Sequence, residues 1–256
     1  MTGSVDKSVF HLTIPPTSGR PLALRSFSLD GPAGRLEALL NEGELDTPFS
    51  ALVCHPHPLG GGTLHNKVVY HAAKIFSGRG WPVLRFNFRG VGLSEGVHDG
   101  IAEADDVSAA LDWLDREFGK PVVAAGFSFG AAMGLKAAST RVAEDDIRAF
   151  AALGLPTHAE DRDYRYPYLA ACTFPKLFLS GDQDQFAPIE QLRAVVATAP
   201  EPKQFMSIPN ADHFFTGHLQ VMQTALGNWL DTTFPAGEDC CPRPANLQKA
   251  VTDDRH

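Results

Sequence analysis

At 256 residues, 44% hydrophobic and 20% charged, the chain has an ordinary globular composition and can bury a large core. Its formal net charge of −8 argues against a nucleic-acid partner and against an anionic membrane surface. The four cysteines, Cys54, Cys172, Cys240 and Cys241, form no C-x-x-C pair, so neither a zinc site nor a disulfide framework is expected, and a reducing cytoplasm fits best.

The first residues lack a basic segment followed by a long apolar stretch, and no window reaches the length of a membrane span, so the chain is expected to be soluble and cytoplasmic. Residues 1–21, with Pro15-Pro16 and Ser18-Gly19, read as an N-terminal arm. Residues 24–29 and 35–41, either side of a Gly-Pro-Ala-Gly turn, read as an antiparallel hairpin. Residues 49–54 form a continuous apolar run, as expected of a strand buried on both faces, and Gly60-Gly61-Gly62 separates it from a helix over about 66–77. From there strands and helices alternate. Strands are predicted at 82–86, 122–125, 149–153, 177–179 and 204–208, and helices at 102–118, 128–139, 189–197 and 219–230. Such alternation predicts an α/β fold with a mostly parallel central sheet covered by helices on both faces, spanning 22–235 as one domain. The stretch 156–173 breaks the rhythm with Tyr164, Tyr166 and Tyr168. It sits where a lid would be inserted but is too short for a large cap domain. Residues 236–256, rich in Pro, Asp and Lys and including Cys240 and Cys241, read as a flexible tail.

Within this alternation, Gly126-Phe127-Ser128-Phe129-Gly130 joins an apolar strand to a small-residue helix. That is the strand, nucleophile turn and helix of a serine hydrolase, in which flanking glycines relieve crowding around a strained serine. A serine hydroxyl needs a base, and the base needs an orienting acid, expected in the order Ser, Asp or Glu, His. Asp184 lies three residues after Gly181 and four before Pro188, in a turn of the form G-x-x-D-x-x-x-P, and is favoured over Asp182, which reads as a turn former. His213, in Pro209-Asn210-Ala211-Asp212-His213-Phe214-Phe215 after the last strand, is the candidate base. The oxyanion hole needs two backbone N–H groups. One is expected from Phe129. The other should come from the loop after Cys54, where Pro56 and Pro58 have no N–H and His57 is favoured over Leu59. Leu59, Tyr164, Tyr168 and Phe214 are candidates to line a substrate. His55, His57 and His65 cluster here, but no Asp or Cys completes a metal site, and hydrogen bonding that shapes the loop is the better role. The glycines of Arg89-Gly90-Val91-Gly92 lack the third glycine and acidic partner of a dinucleotide site, so Asn87 and Arg89 are expected to tie loops together.

Three long motifs carry more than a pattern. His55-Pro56-His57-Pro58 with Gly61-Gly62-Thr63-Leu64-His65-Asn66-Lys67-Val68-Val69, then Arg85-Phe86-Asn87-Phe88-Arg89-Gly90-Val91-Gly92, then the Ser128 turn, resemble one group of bacterial α/β-hydrolases. These are compact, largely uncapped, dienelactone-hydrolase-like proteins. The resemblance implies the α/β-hydrolase fold and a Ser128, His213, Asp184 triad without metal or cofactor. Dienelactone hydrolases carry a cysteine nucleophile and haloalkane dehalogenases an aspartate, so Ser128 points instead to ester hydrolysis. The expected activity is that of a carboxylesterase on small or short-acyl esters. Peptidase or thioesterase activity with the same triad, or a non-catalytic binding module on this fold, are the alternatives.

Overall fold

In this computed structural model the described residues are 23–235, apart from 143–145 and 160–161. The expected N-terminal arm and the tail carrying Cys240 and Cys241 lie outside them.

Alternating apolar and polar residues build the opening hairpin, β1 (Leu24–Gly31) paired antiparallel with β2 (Gly34–Asn41). The next strands are β3 (Ser50–Cys54), β4 (Val83–Phe86), β5 (Val122–Phe127) and β6 (Ile147–Leu153). A two-residue pair, β7 (His158–Ala159) and β8 (Arg162–Asp163), precedes β9 (Lys176–Gly181) and β10 (Lys203–Ile208). Eight of these strands form one sheet in the order β1-β2-β4-β3-β5-β6-β9-β10. From β4 to β10 the neighbours are parallel, and β2 joins them antiparallel through β4.

The inner strands are buried on both faces, and side chains alternate between two cores. Leu52 and Cys54 of β3 and Val122 and Ala124 of β5 enter one core with α2 (Glu103–Phe118) and α3 (Phe129–Ser139). Ala51, Val53, Val123, Ala125 and Phe127 enter the other, with α1 (Lys67–Ser77) and α5 (Leu219–Thr233). A final helix, α4 (Ile189–Ala197), packs Leu192 and Val196 into the α2 and α3 side. Asn66 caps α1, its side-chain oxygen accepting the Val68 N–H at 2.9 Å, a contribution of about 1 kcal/mol.

Several strands run beyond their expected ranges. The β5 ladder continues through Gly126 and Phe127, opposite Ala152 and Leu153 of β6. Strand β9 begins at a buried lysine because Lys176 Nζ donates to the Cys172 and Phe174 carbonyls at 2.7 and 2.6 Å. The short stretch 156–173 is anchored to the core. Its Tyr166 and Leu169 are buried against the α3 side, and the Tyr166 hydroxyl donates to the Pro156 carbonyl at 2.5 Å.

Chain direction across the sheet reverses between β3 and β5. The chain leaves β3 toward β4, whereas β5 lies on its other side and leads on to β6. The carboxyl ends of β3 and β5 therefore mark the point where the winding of the sheet switches, which is where folds of this kind place their ligands.

Candidate active site

Ser128 stands at that switch point, directly after β5. Its φ of 55° and ψ of −120° lie outside the regions open to ordinary residues, so the nucleophile turn is a strained one. The flanking glycines have specific work. A Cβ on Gly126 would meet the Gly130 carbonyl oxygen and the Ala131 nitrogen at 2.4 and 2.5 Å, and one on Gly130 would meet the His55 and Cys54 carbonyl oxygens at 2.4 and 2.5 Å. Gly126 thus lets α3 fold back sharply onto β5, and Gly130 seats α3 against the loop after β3. Ser128 occupies the N-cap of α3, where a serine commonly accepts a bond from the helix's own N–H groups. It makes no such bond here. Its Oγ lies 2.9 Å from His213 Nε2 instead.

The opposite nitrogen, His213 Nδ1, lies 2.9 and 2.8 Å from the two Asp184 oxygens. A carboxylate only accepts, so Nδ1 carries the proton and Nε2 is left free to accept from Ser128. Asp184 Oδ1 also accepts the Phe186 and Ala187 N–H groups at 2.8 and 3.1 Å, and Oδ2 accepts the Ser180 hydroxyl at 2.9 Å. Three donors besides the imidazole hold this buried carboxylate in one orientation. The His213 ring is confined by Phe127 and Phe186, whose centroids lie 5.0 and 4.7 Å away. Asp182 Oδ1 accepts the Asn210 N–H at 2.8 Å, so it braces the loop that carries His213. Its partner is 28 residues distant, which makes it a brace between turns where a local turn former was expected.

On the other flank, Leu59 donates its N–H to His57 Nδ1 at 3.2 Å. The His57 ring packs edge-on against Phe129 at 4.9 Å, which brings the loop after β3 to the start of α3. His55 is fully committed to the scaffold. Its Nε2 accepts the Phe88 N–H at 3.0 Å, and its Nδ1 therefore donates to the Pro56 carbonyl at 2.7 Å. Burial pushes the His55 imidazole down to about 3, and burial with the neighbouring His98 and Arg162 lowers His57. Asn87 and Arg89 tie loops as expected. Asn87 accepts the Leu64 N–H and donates to Glu37, both at 2.7 Å, and Arg89 pairs with buried Asp106.

Three groups had escaped the sequence-based reading. Gly154, at the end of β6 with φ of 54°, lies against the base: a Cβ there would come within 3.2 Å of the His213 ring. A lone glycine after an apolar strand was its only signal. Ser180 had none beyond its place in the acid turn. Behind His57, Glu103 is wholly buried, with Oε1 accepting the Asp99 and Gly100 N–H groups and lying 2.5 Å from His98 Nδ1. The His98 ring touches those of His57 and Phe129 at 4.8 and 5.6 Å. Among the candidates for lining, Leu59 and Phe214 are exposed beside His57 and His213. Tyr168 is placed elsewhere: it packs on the α3 side and gives its hydroxyl to the Ala132 carbonyl at 2.9 Å, one turn beyond Ser128. Tyr164 stacks on buried Tyr166 and lies under the Arg162 guanidinium.

Residues 50–233 match the family model described as an alpha/beta hydrolase domain. The chain belongs to that family. An uncharacterized protein of Rickettsia prowazekii is 35% identical over 211 residues, which cover 79% of this chain and 87% of that one. Among solved structures, an alpha-beta serine hydrolase homologue from Coxiella burnetii is 33% identical with a TM-score of 0.70, over 80% of this chain and 96% of its own. A serine hydrolase without lid from Xanthomonas campestris is 30% identical with a TM-score of 0.71, over 86% of this chain and 99% of its own. The family and these likenesses support a hydrolase. No helix among the described residues is long and apolar enough to cross a membrane.

Proposed function

We propose that this α/β-hydrolase is a serine carboxylesterase acting on esters of small acyl groups. The carrying observation is the unbroken chain of contacts from Ser128 Oγ through His213 to Asp184. Ser128 Oγ attacks the ester carbonyl carbon while His213 Nε2 takes its proton. The C–O bond to the alcohol then breaks, and the proton passes from Nε2 to the departing oxygen. Water, deprotonated by the same nitrogen, hydrolyses the acyl-enzyme and restores Ser128. Asp184 keeps the proton on Nδ1 and stabilises the imidazolium formed in each half-reaction.

The carbonyl oxygen, negative in both tetrahedral intermediates, is held by the Phe129 and His57 N–H groups. His57 is favoured over Leu59 because the Leu59 N–H is already given to the His57 ring. The first turn of α3 adds a favourable dipole at the same point. A small acyl group fits the crowding of the His57, His98 and Phe129 rings on this side. No step calls for a metal or a cofactor.

A fluorophosphonate probe tests the nucleophile: it should label the protein stoichiometrically and fail on Ser128→Ala. A panel of acetyl, butyryl and octanoyl esters, with matched amides and thioesters, tests the bond cleaved. Turnover should be fastest for short acyl esters and vanish in Ser128→Ala. Faster cleavage of amides or thioesters, or labelling that survives the substitution, would overturn the esterase.

A further inference from the structure

The oxyanion flank carries a second contact between a carboxyl group and an imidazole, which the hydrolytic steps above leave without a role. Glu103 opens α2 and is wholly buried, a costly place for a carboxyl group unless its partners are built in. Its Oε1 accepts the Asp99 and Gly100 N–H groups at 3.0 and 3.2 Å and lies 2.5 Å from His98 Nδ1. From the stretch 156–173, Arg162 Nη2 donates to the Gly100 carbonyl at 2.5 Å. The loop ahead of α2 is therefore braced twice. Val97 and Ile101 of that loop are exposed, whereas the His98 side chain between them is turned inward and only 12% exposed.

What His98 meets inside decides its use. Its ring packs edge-on against His57, with centroids 4.8 Å apart, and against Phe129, with centroids 5.6 Å apart. His57 and Phe129 themselves meet edge-on at 4.9 Å. Three rings thus touch pairwise, and edge-to-face contacts fix orientation as well as distance. Two of the three belong to the residues whose N–H groups hold the oxyanion in the esterase mechanism above, on which this inference rests. Those two residues sit on separate elements, the loop after β3 and the start of α3. His98 supplies the ring that touches both, and Glu103 lies against that ring.

We propose that His98 is a positioning residue of the oxyanion hole: set by Glu103, its ring keeps the His57 and Phe129 rings in register, so that the N–H groups of those residues converge on one oxygen. Neither His98 nor Glu103 takes part in the bond changes.

Both half-reactions pass through an oxyanion, which gives the test its signature. Stopped-flow burst kinetics with 4-nitrophenyl acetate are run on the full chain for native protein, His98→Ala, His98→Phe, Glu103→Gln and the double variant His98→Ala/Glu103→Gln. A short alkyl trifluoromethyl ketone, whose carbonyl carbon bonds to Ser128 Oγ and whose oxygen becomes the oxyanion, is titrated against each. In His98→Ala, acylation and deacylation should both slow about tenfold, as for a small misplacement of the donors. KM should move less than about twofold and the Ki of the ketone should rise in step with the loss of rate. His98→Phe restores a ring and should lose only about threefold. Glu103→Gln should lose about threefold alone and less than about twofold once His98 is gone, because it acts through that ring. Burst amplitude per mole of protein should be the same throughout. A raised KM with rates preserved would make His98 a substrate contact and overturn the proposal. So would an unchanged ketone Ki, a Glu103→Gln loss that is equal with and without His98, a reduced burst amplitude with normal rates per active site, or no effect of His98→Ala. A native protein that gives no burst would overturn the triad reading, and the positioning role with it, so the two failures are told apart.

Discussion

The two flanks of Ser128 solve different problems. On the acid–base flank, the chain must hold a side chain still. His213 is gripped by Phe127, Phe186 and Asp184, and Asp184 by two backbone N–H groups and Ser180. On the oxyanion flank, what must be held is a backbone N–H, and the side chains serve as scaffold. His55 spends both ring nitrogens on its own surroundings, and His57 takes the Leu59 N–H. It follows that substitutions on the first flank should remove chemistry, and those on the second should mostly loosen it.

Asp184→Asn should give the largest effect. The amide presents an N–H donor to Nδ1, which favours the tautomer with the proton on Nε2, where it can no longer accept from Ser128. A fall in kcat of about 10⁴-fold is expected, with fluorophosphonate labelling slowed in parallel. Gly154→Ala should come next. Its Cβ would lie within 3.2 Å of the His213 ring, and the residue would be forced into φ of 54°. Displacing the base by a fraction of an ångström should cost about 10²-fold in kcat, with KM little changed. Retained activity in Gly154→Ala would mean that the base is less tightly held than its surroundings indicate.

His57→Ala probes the other flank and should be milder. The substitution removes a ring and leaves the backbone N–H in place. A loss of about tenfold is expected, well short of the 10²- to 10³-fold cost of deleting an oxyanion donor. A loss as large as that of Gly154→Ala would break the contrast, because the ring itself would then be touching the substrate.

This contrast also explains how much the sequence reveals. Ser128, Asp184 and His213 were legible because each is a side chain of one required type in a fixed chain order, set in recognisable turns. Alternation of apolar strands and amphipathic helices likewise exposed the parallel sheet. Oxyanion donors are N–H groups common to almost every residue, so the sequence narrowed them only by elimination at Pro56 and Pro58. Gly154 was hidden for another reason: its role is to be small beside a ring supplied by a strand two positions away in the sheet. Glu103 lay in a helical first turn rich in acids, where Glu103, Asp105 and Asp106 look alike until burial sets Asp105 apart and the partners, His98 for Glu103 and Arg89 for Asp106, separate the other two. Tyr166 drew attention as part of a polar, aromatic loop, whereas its ring turned out to anchor that loop to the core.

His55 and His213 complete the comparison, because in the proposed mechanism His213 gains and loses a proton in every turnover, whereas His55 is held neutral by its surroundings. Protonating His55 Nε2 would break its bond from the Phe88 N–H and place a charge in a buried site. Its pKa is accordingly lowered by burial from 6.5 to about 3. As the pH falls through 6.5, the unfolded chain takes up this proton and the folded protein does not, so folding stability drops. The stabilising effect is fully present above about pH 6.5 and is lost progressively toward pH 3, at a limiting slope of about 1.4 kcal/mol per pH unit. Thermal midpoints of the native protein and His55→Gln, measured from pH 7 down to pH 4, isolate this contribution, because carboxylates that titrate in the same range are common to both. The native protein should lose more of its midpoint than the variant, while the activity of the two at pH 7 to 8 differs little. Parallel curves would mean that His55 is protonated without penalty, and the loop it supports would then be softer than its hydrogen bonds require.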